Sequence, residues 1–145
     1  MTKHLKVSLK SFHAIEVTRI AIGNQKLVYA LIADRKFRHP YGRSSIAYIG
    51  TTKRGFERVA GSIAYLAEDI FSEYGVKKII ARIITCKPRS AVKTWVKLER
   101  AMLLMFREIY GEVPPLNWQG HKIKETNEFE YFSRDKLRAV VIELG

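Results

Sequence analysis

Two short β-branched runs, each leading toward a segment of helical period, limit what this chain can fold into. Residues 27–33 (LVYALIA) and 45–49 (SIAYI) read as strands. Residues 34–44 between them carry Pro40 and Gly42, which predicts a long loop joining a hairpin. Thr51 and Thr52 are placed to cap a helix. Phe56, Val59, Ala60, Ile63, Leu66, Ala67, Ile70 and Phe71 then recur at helical spacing until Gly75 ends the pattern. Residues 76–85 form a third apolar run, continuous enough to be central in a sheet. A second helix is expected from about residues 88–90 to Tyr110, with Gly111 as its stop. The order strand, strand, helix, strand, helix gives an α+β layer fold, a small sheet under helices. Residues 15–22, followed by a Gly23-Asn24 turn, add an N-terminal strand, and Ser133 caps a C-terminal helix ending near Leu144. At 145 residues, one domain spanning 1–145 is expected.

Charge narrows the partner. The formal net charge is +12, and it is uneven. Residues 1–58 hold 12 Lys or Arg against 3 Asp or Glu, a net of +9, so the remainder supplies +3. Such a field suits a polyanion, and it lies on the half that carries Tyr29 and Tyr48. No apolar run approaches ~20 residues, which excludes a membrane-spanning helix as the expectation. One cysteine, Cys86, allows no internal disulfide and fits a reducing, cytoplasmic compartment. His4, His13, His39 and His121 lack metal-ligand spacing, so no structural zinc site is expected.

Glu99 is the most unusual residue of the second helix. It shares a face with Val92, Trp95, Val96, Met102, Leu103 and Phe106. A carboxylate there loses hydration unless an arginine, a hydrogen-bond network or a divalent cation compensates it. The alternative is a carboxylate at the edge of the stripe, reaching solvent or pairing with Arg100 or Lys93. Arg58 lies off the apolar stripe of the first helix, on a face with Ser62 and Tyr65, and its paired donors suit a phosphate. Tyr29 and Tyr48 fall on adjacent strands, as core aromatics or as a pair of convergent hydroxyls. A free phenol titrates near pH ~10, and a nearby cation would lower that value.

Tyr48-Ile49-Gly50, Arg58 ten residues after Tyr48, Glu99 in the second helix and Asn117 after Pro114-Pro115-Leu116 together resemble the catalytic set of the GIY-YIG nucleases. The first motif is present as Leu27-Val28-Tyr29, with leucine in place of the glycine. The resemblance covers about 27–117 and implies an antiparallel three-stranded sheet flanked by helices. It further implies a divalent-metal-dependent endonuclease that hydrolyses phosphodiester bonds in DNA. Tyr29 would activate the attacking water, Tyr48 would position that water or the phosphate, and Arg58 would stabilise charge on the scissile phosphate. Glu99 would bind Mg2+ or Mn2+, and Asn117 would contact a phosphate or hold the geometry. Ser62 stands where many members carry histidine or tyrosine, a role that Tyr65 or His39 could take.

Residues 34–44 are an insertion relative to compact members of that family. Arg35, Lys36, Arg38, His39 and Arg43 are interleaved there with Phe37 and Tyr41, a composition that tracks a phosphate backbone and stacks on bases. The loop is expected to grip nucleic acid beside the site, with Lys53 and Arg54 contributing. DNA is the expected partner, with RNA left open. Two other functions compete: a non-catalytic nucleic-acid-binding module on the same fold, and a small basic protein of unrelated fold, such as a ribosome-associated factor.

Overall fold

The computed structural model describes residues 4–11 and 25–145. The strand expected at 15–22 and the turn after it lie outside the described residues.

A three-stranded antiparallel sheet forms the middle layer, in the order β2-β1-β3. β1 is Leu27–His39, β2 is Gly42–Thr52 and β3 is Ile79–Ile84. β1 takes the centre because its run Leu27–Ala33 is apolar on both faces and both faces are covered. The expectation of a central β3 is corrected: β3 is an edge, with Arg82 exposed and Ile80 47% exposed.

The long loop expected at 34–44 is a second correction. β1 runs on to His39, and only Pro40 and Tyr41 connect His39 to its partner Gly42. Two contacts keep the chain extended through the charged stretch. Ala33 pairs with Ile79 and the Asp34 amide donates to the Lys78 carbonyl, so β1 leans on β3 where it bulges away from β2. Beyond the bulge, Phe37 and His39 are buried while Arg38 is exposed, the alternation of a strand with one covered face. Pro40 costs the ladder no hydrogen bond because it sits in the turn. The turn itself is anchored by the Tyr41 amide, which donates to the Tyr110 carbonyl at 3.0 Å.

Helix α1 is Phe56–Tyr74 and helix α2 is Thr94–Tyr110. Thr51 and Thr52 do not cap α1. They finish β2, with the Thr51 hydroxyl donating to the Leu27 carbonyl and the Thr52 hydroxyl accepting from the Arg54 amide. Gly55 occupies the cap position, and no side chain caps the helix. α2 starts later than expected because residues 89–92 form a turn with Ala91 at φ 62°. Gly75 and Gly111 end the two helices in left-handed conformation, as the sequence predicts. A 3₁₀ stretch, Pro115–Lys122, then leads to α3, Glu128–Tyr131, and α4, Arg134–Leu144. Ser133 caps α4 by accepting from the Lys136 amide.

The core has two layers. Val28, Ala30, Ile32, Ile46 and Ile49 face α2 and α4, meeting Ala101, Met102, Met105, Phe106 and Val141. Leu27, Tyr29, Leu31, Ala33 and Phe37 face α1, of whose residues only Val59 and Ile70 are buried. Among the described residues no helix is long and apolar enough to cross a membrane.

Candidate active site

The strand register makes the tyrosine pair. Tyr29 lies opposite Gly50, and Tyr48 lies opposite Leu31, two residues along β1. Both rings therefore stand on the α1 side of the sheet, with centroids 6.0 Å apart and planes tilted by 45°. Gly50 is what lets them meet. A Cβ there would lie 2.6 Å from the Tyr29 hydroxyl oxygen and 2.7 Å from Cε1 of Tyr48. The glycine of Tyr48-Ile49-Gly50 is thus a steric requirement of the two rings that close over it.

Tyr29 is buried, and its hydroxyl donates to Ser62 Oγ at 2.8 Å. Ser62 was legible as a departure from the family pattern and as a neighbour of Arg58 on one helix face. It lies one turn beyond Arg58 on α1, and that four-residue spacing is the signal that puts both over the tyrosines. Tyr65, one of the two residues that could stand in for a family histidine or tyrosine, is 84% exposed.

The electrostatics of Tyr48 join it to Arg58 and Glu99. Burial first, then the neighbouring Tyr29 and the Glu99 carboxylate, push its phenol up to about 12, and only Arg58 pulls it down. Arg58 lowers this phenol as the sequence suggests, but desolvation outweighs the exposed guanidinium. Tyr48 is a hydrogen-bond donor at neutral pH.

Glu99 is half-buried, and burial pushes its carboxyl up to about 7, with Arg100 pulling the other way. Among the described residues it makes no hydrogen bond and no ion pair. The pairing with Arg100 left open by the sequence is taken elsewhere. Arg100 Nε donates to Glu128 Oε1 at 2.7 Å and its Nη2 to the Lys124 carbonyl at 2.6 Å. Glu128 is fully buried. Burial alone would raise its carboxyl, but the bonds from Arg100 and Thr126 outweigh it and hold the group at about 2.

Asn117 faces the sheet edge. Its Oδ1 accepts from the Ile49 amide and its Nδ2 donates to the Ile49 carbonyl, both at 2.8 Å. The side chain acts as one more strand residue on the open edge of β2 and fixes the segment between Tyr48 and Gly50. Both polar atoms of its amide are thus engaged with the strand edge.

The structure thus brings Tyr29, Tyr48, Arg58 and Glu99 to one end of the sheet, with Asn117 behind them. Lys53 and Arg54 are exposed in the connection from β2 to α1, close to Arg58 in the chain. The hairpin cations are elsewhere. Arg38 and Arg43 pair across the tip, five residues of strand or roughly 16 Å from Tyr48. Lys36 is exposed on the bulge, and Arg35 Nη1 donates to the Tyr74 carbonyl at the end of α1. His39 departs furthest from expectation. It is 7% exposed, packs against Phe106 and Tyr110, and joins Glu112 Oε1 through Nδ1 at 2.6 Å. The imidazole is buried and engaged rather than free on the surface of the hairpin.

Among the described residues no group of three His, Cys, Asp or Glu side chains could together hold a metal ion. A partnerless, half-buried carboxylate does fit a hard cation whose remaining shell is water and phosphate oxygen, the usual habit of magnesium. No protein-family model, curated protein or solved structure gives a significant match to this chain.

Proposed function

We propose that the chain is a divalent-metal-dependent endonuclease of GIY-YIG type, hydrolysing phosphodiester bonds in DNA. The observation that carries this reading is Glu99. It is a desolvated acid whose natural partner, Arg100, is engaged by Glu128, and its charge is felt by Tyr48. Retaining such a group costs stability, which favours a role in binding a cation. The three-stranded antiparallel sheet and the order of its helices are in keeping with that family.

Tyr29 donates to Ser62, so its oxygen retains lone pairs that can accept a hydrogen bond from water. As the water attacks phosphorus, its proton passes to Tyr29, whose own proton moves to Ser62 and on to solvent. Such a relay needs no standing phenolate. Tyr48, protonated, donates to the water or to a phosphate oxygen and fixes the line of attack. Arg58, exposed in the first turn of α1, offers paired donors to the equatorial oxygens as charge grows on them. A magnesium or manganese ion bound by Glu99 would supply charge stabilisation for the leaving oxygen.

Nicking of supercoiled plasmid with and without magnesium or manganese tests the proposal. Wild-type protein should nick, and Glu99→Gln should lower the rate roughly a thousandfold while DNA binding survives. Equal nicking by both proteins would overturn the mechanism. Binding without cleavage of any DNA form would leave a nucleic-acid-binding module, the reading that the charge of +12 supports by itself.

A further inference from the structure

A cleft of about 480 Å³ opens between the hairpin and the 3₁₀ stretch, away from the tyrosine pair. Arg35, Phe37 and Arg38 line it from β1, and Pro115, Trp118 and His121 line it from the 3₁₀ stretch. We propose that this cleft is a subsite for one unpaired nucleotide of the bound strand, with the base stacked on Trp118 and the phosphates held by Arg38 and Arg35. The inference rests on the nuclease reading and narrows its substrate class to nucleic acid that is single-stranded near the cut.

Three observations carry it. First, Trp118 is 66% exposed on the wall of a cleft, where an indole of structural purpose would be covered. An exposed indole offers a stacking face, and only an unpaired base can present its own face in return. Second, the charge around the cleft lacks its counterpart. Arg38 and Arg43 sit directly opposite each other across the hairpin, an arrangement that like charges disfavour. Among the described residues neither has an acidic partner. The one carboxylate lining the cleft, Glu112, is engaged by His39. Third, the cleft lies within the size range of sites for small ligands. That range suits a nucleotide and is far too small for a duplex.

The subsite is coupled to the tyrosine pair through the chain itself. Trp118 follows Asn117, whose amide holds Ile49 between Tyr48 and Gly50. A strand gripped at Trp118 would therefore pass the edge of β2 that carries Tyr48.

The test is binding in EDTA, where no cleavage intervenes, to a forked oligonucleotide and to a blunt duplex of the same composition. Wild-type protein should prefer the fork. Trp118→Ala should narrow that preference about tenfold, and Trp118→Phe, which keeps a stacking face, should retain most of it. Titration with a single strand should also quench tryptophan fluorescence in wild type and far less in Trp118→Phe, where Trp95 alone reports. Equal affinity for fork and duplex, or a preference that Trp118→Ala leaves intact, would overturn the subsite while the nuclease reading stands. Failure to bind any nucleic acid would remove both.

Discussion

Two carboxylates meet helix α2 in opposite conditions. Glu128 is wholly buried, yet Arg100 and Thr126 satisfy it so fully that its carboxyl is held at about 2. Glu99, beside Arg100 in sequence, has no partner among the described residues, and burial pushes it up to about 7. Desolvation pushes both acids up; the donors around Glu128 reverse it, and Glu99 has none among the described residues. The Glu128 region is a closed knot tying α2 to the chain before α3. The Glu99 region is left electrostatically open, and its charge is felt by Tyr48. On the proposed reading, the first group holds the fold and the second is kept for a cation.

The contrast can be broken from either side. The largest effect is expected at the knot: Glu128→Ala leaves the Arg100 guanidinium without its acid and should destabilise the protein by roughly 3 kcal/mol in urea unfolding. Because the folded carboxyl lies at about 2 against 4.5 for a free one, its contribution is present above pH ~4.5 and is lost as pH falls toward 2. Acid titration of the unfolding free energy should show that loss in wild type and not in Glu128→Ala.

A smaller effect is expected at the tyrosine pair. Gly50→Ala places a methyl against both rings, so a ring must move, and a loss of about 2 kcal/mol should appear together with a changed near-ultraviolet circular dichroism of the tyrosines. If the protein tolerates alanine with unchanged spectra, the rings do not close over Gly50. The smallest effect is expected at the sheet edge. Asn117→Ala should cost about 1 kcal/mol through its two hydrogen bonds with Ile49. Its effect on the nicking rate should exceed its effect on stability, because the clamp fixes the segment that carries Tyr48. Faster amide hydrogen exchange at Ile49 would confirm the loosened edge.

Much of this was legible in the sequence because local chemistry wrote it. The apolar run Leu27–Ala33, the glycines that end α1 and α2, and the Ser133 cap all act within a few residues of themselves. Glu99 was legible as an acid on an apolar stripe. What escaped depended on distant partners. Residues 34–39 carry a loop's composition and stay extended only because β3 receives Ala33 and Asp34 and because Phe37 and His39 find cover. His39 looked like a surface cation until Glu112, Phe106 and Tyr110 closed around it. That Arg100 turns toward Glu128, leaving Glu99 alone, follows from the placement of α3, which no spacing in the chain discloses.

The isolation of Glu99 is tested most directly by the unfolding free energy of metal-free wild type and Glu99→Gln as a function of pH. An acid whose folded value is about 7, above the 4.5 of a free carboxyl, keeps its proton in the folded state as pH rises. Its ionisation therefore erodes stability between pH ~4.5 and ~7 and the cost is complete above that. The two proteins should match below pH 4.5, and at pH 8 Glu99→Gln should be the more stable by roughly 2 kcal/mol. Manganese should then raise the stability of wild type and not that of the variant. A Glu99→Gln protein that is less stable than wild type at pH 8 without metal would show that the carboxylate already has its partner, and would contradict the account.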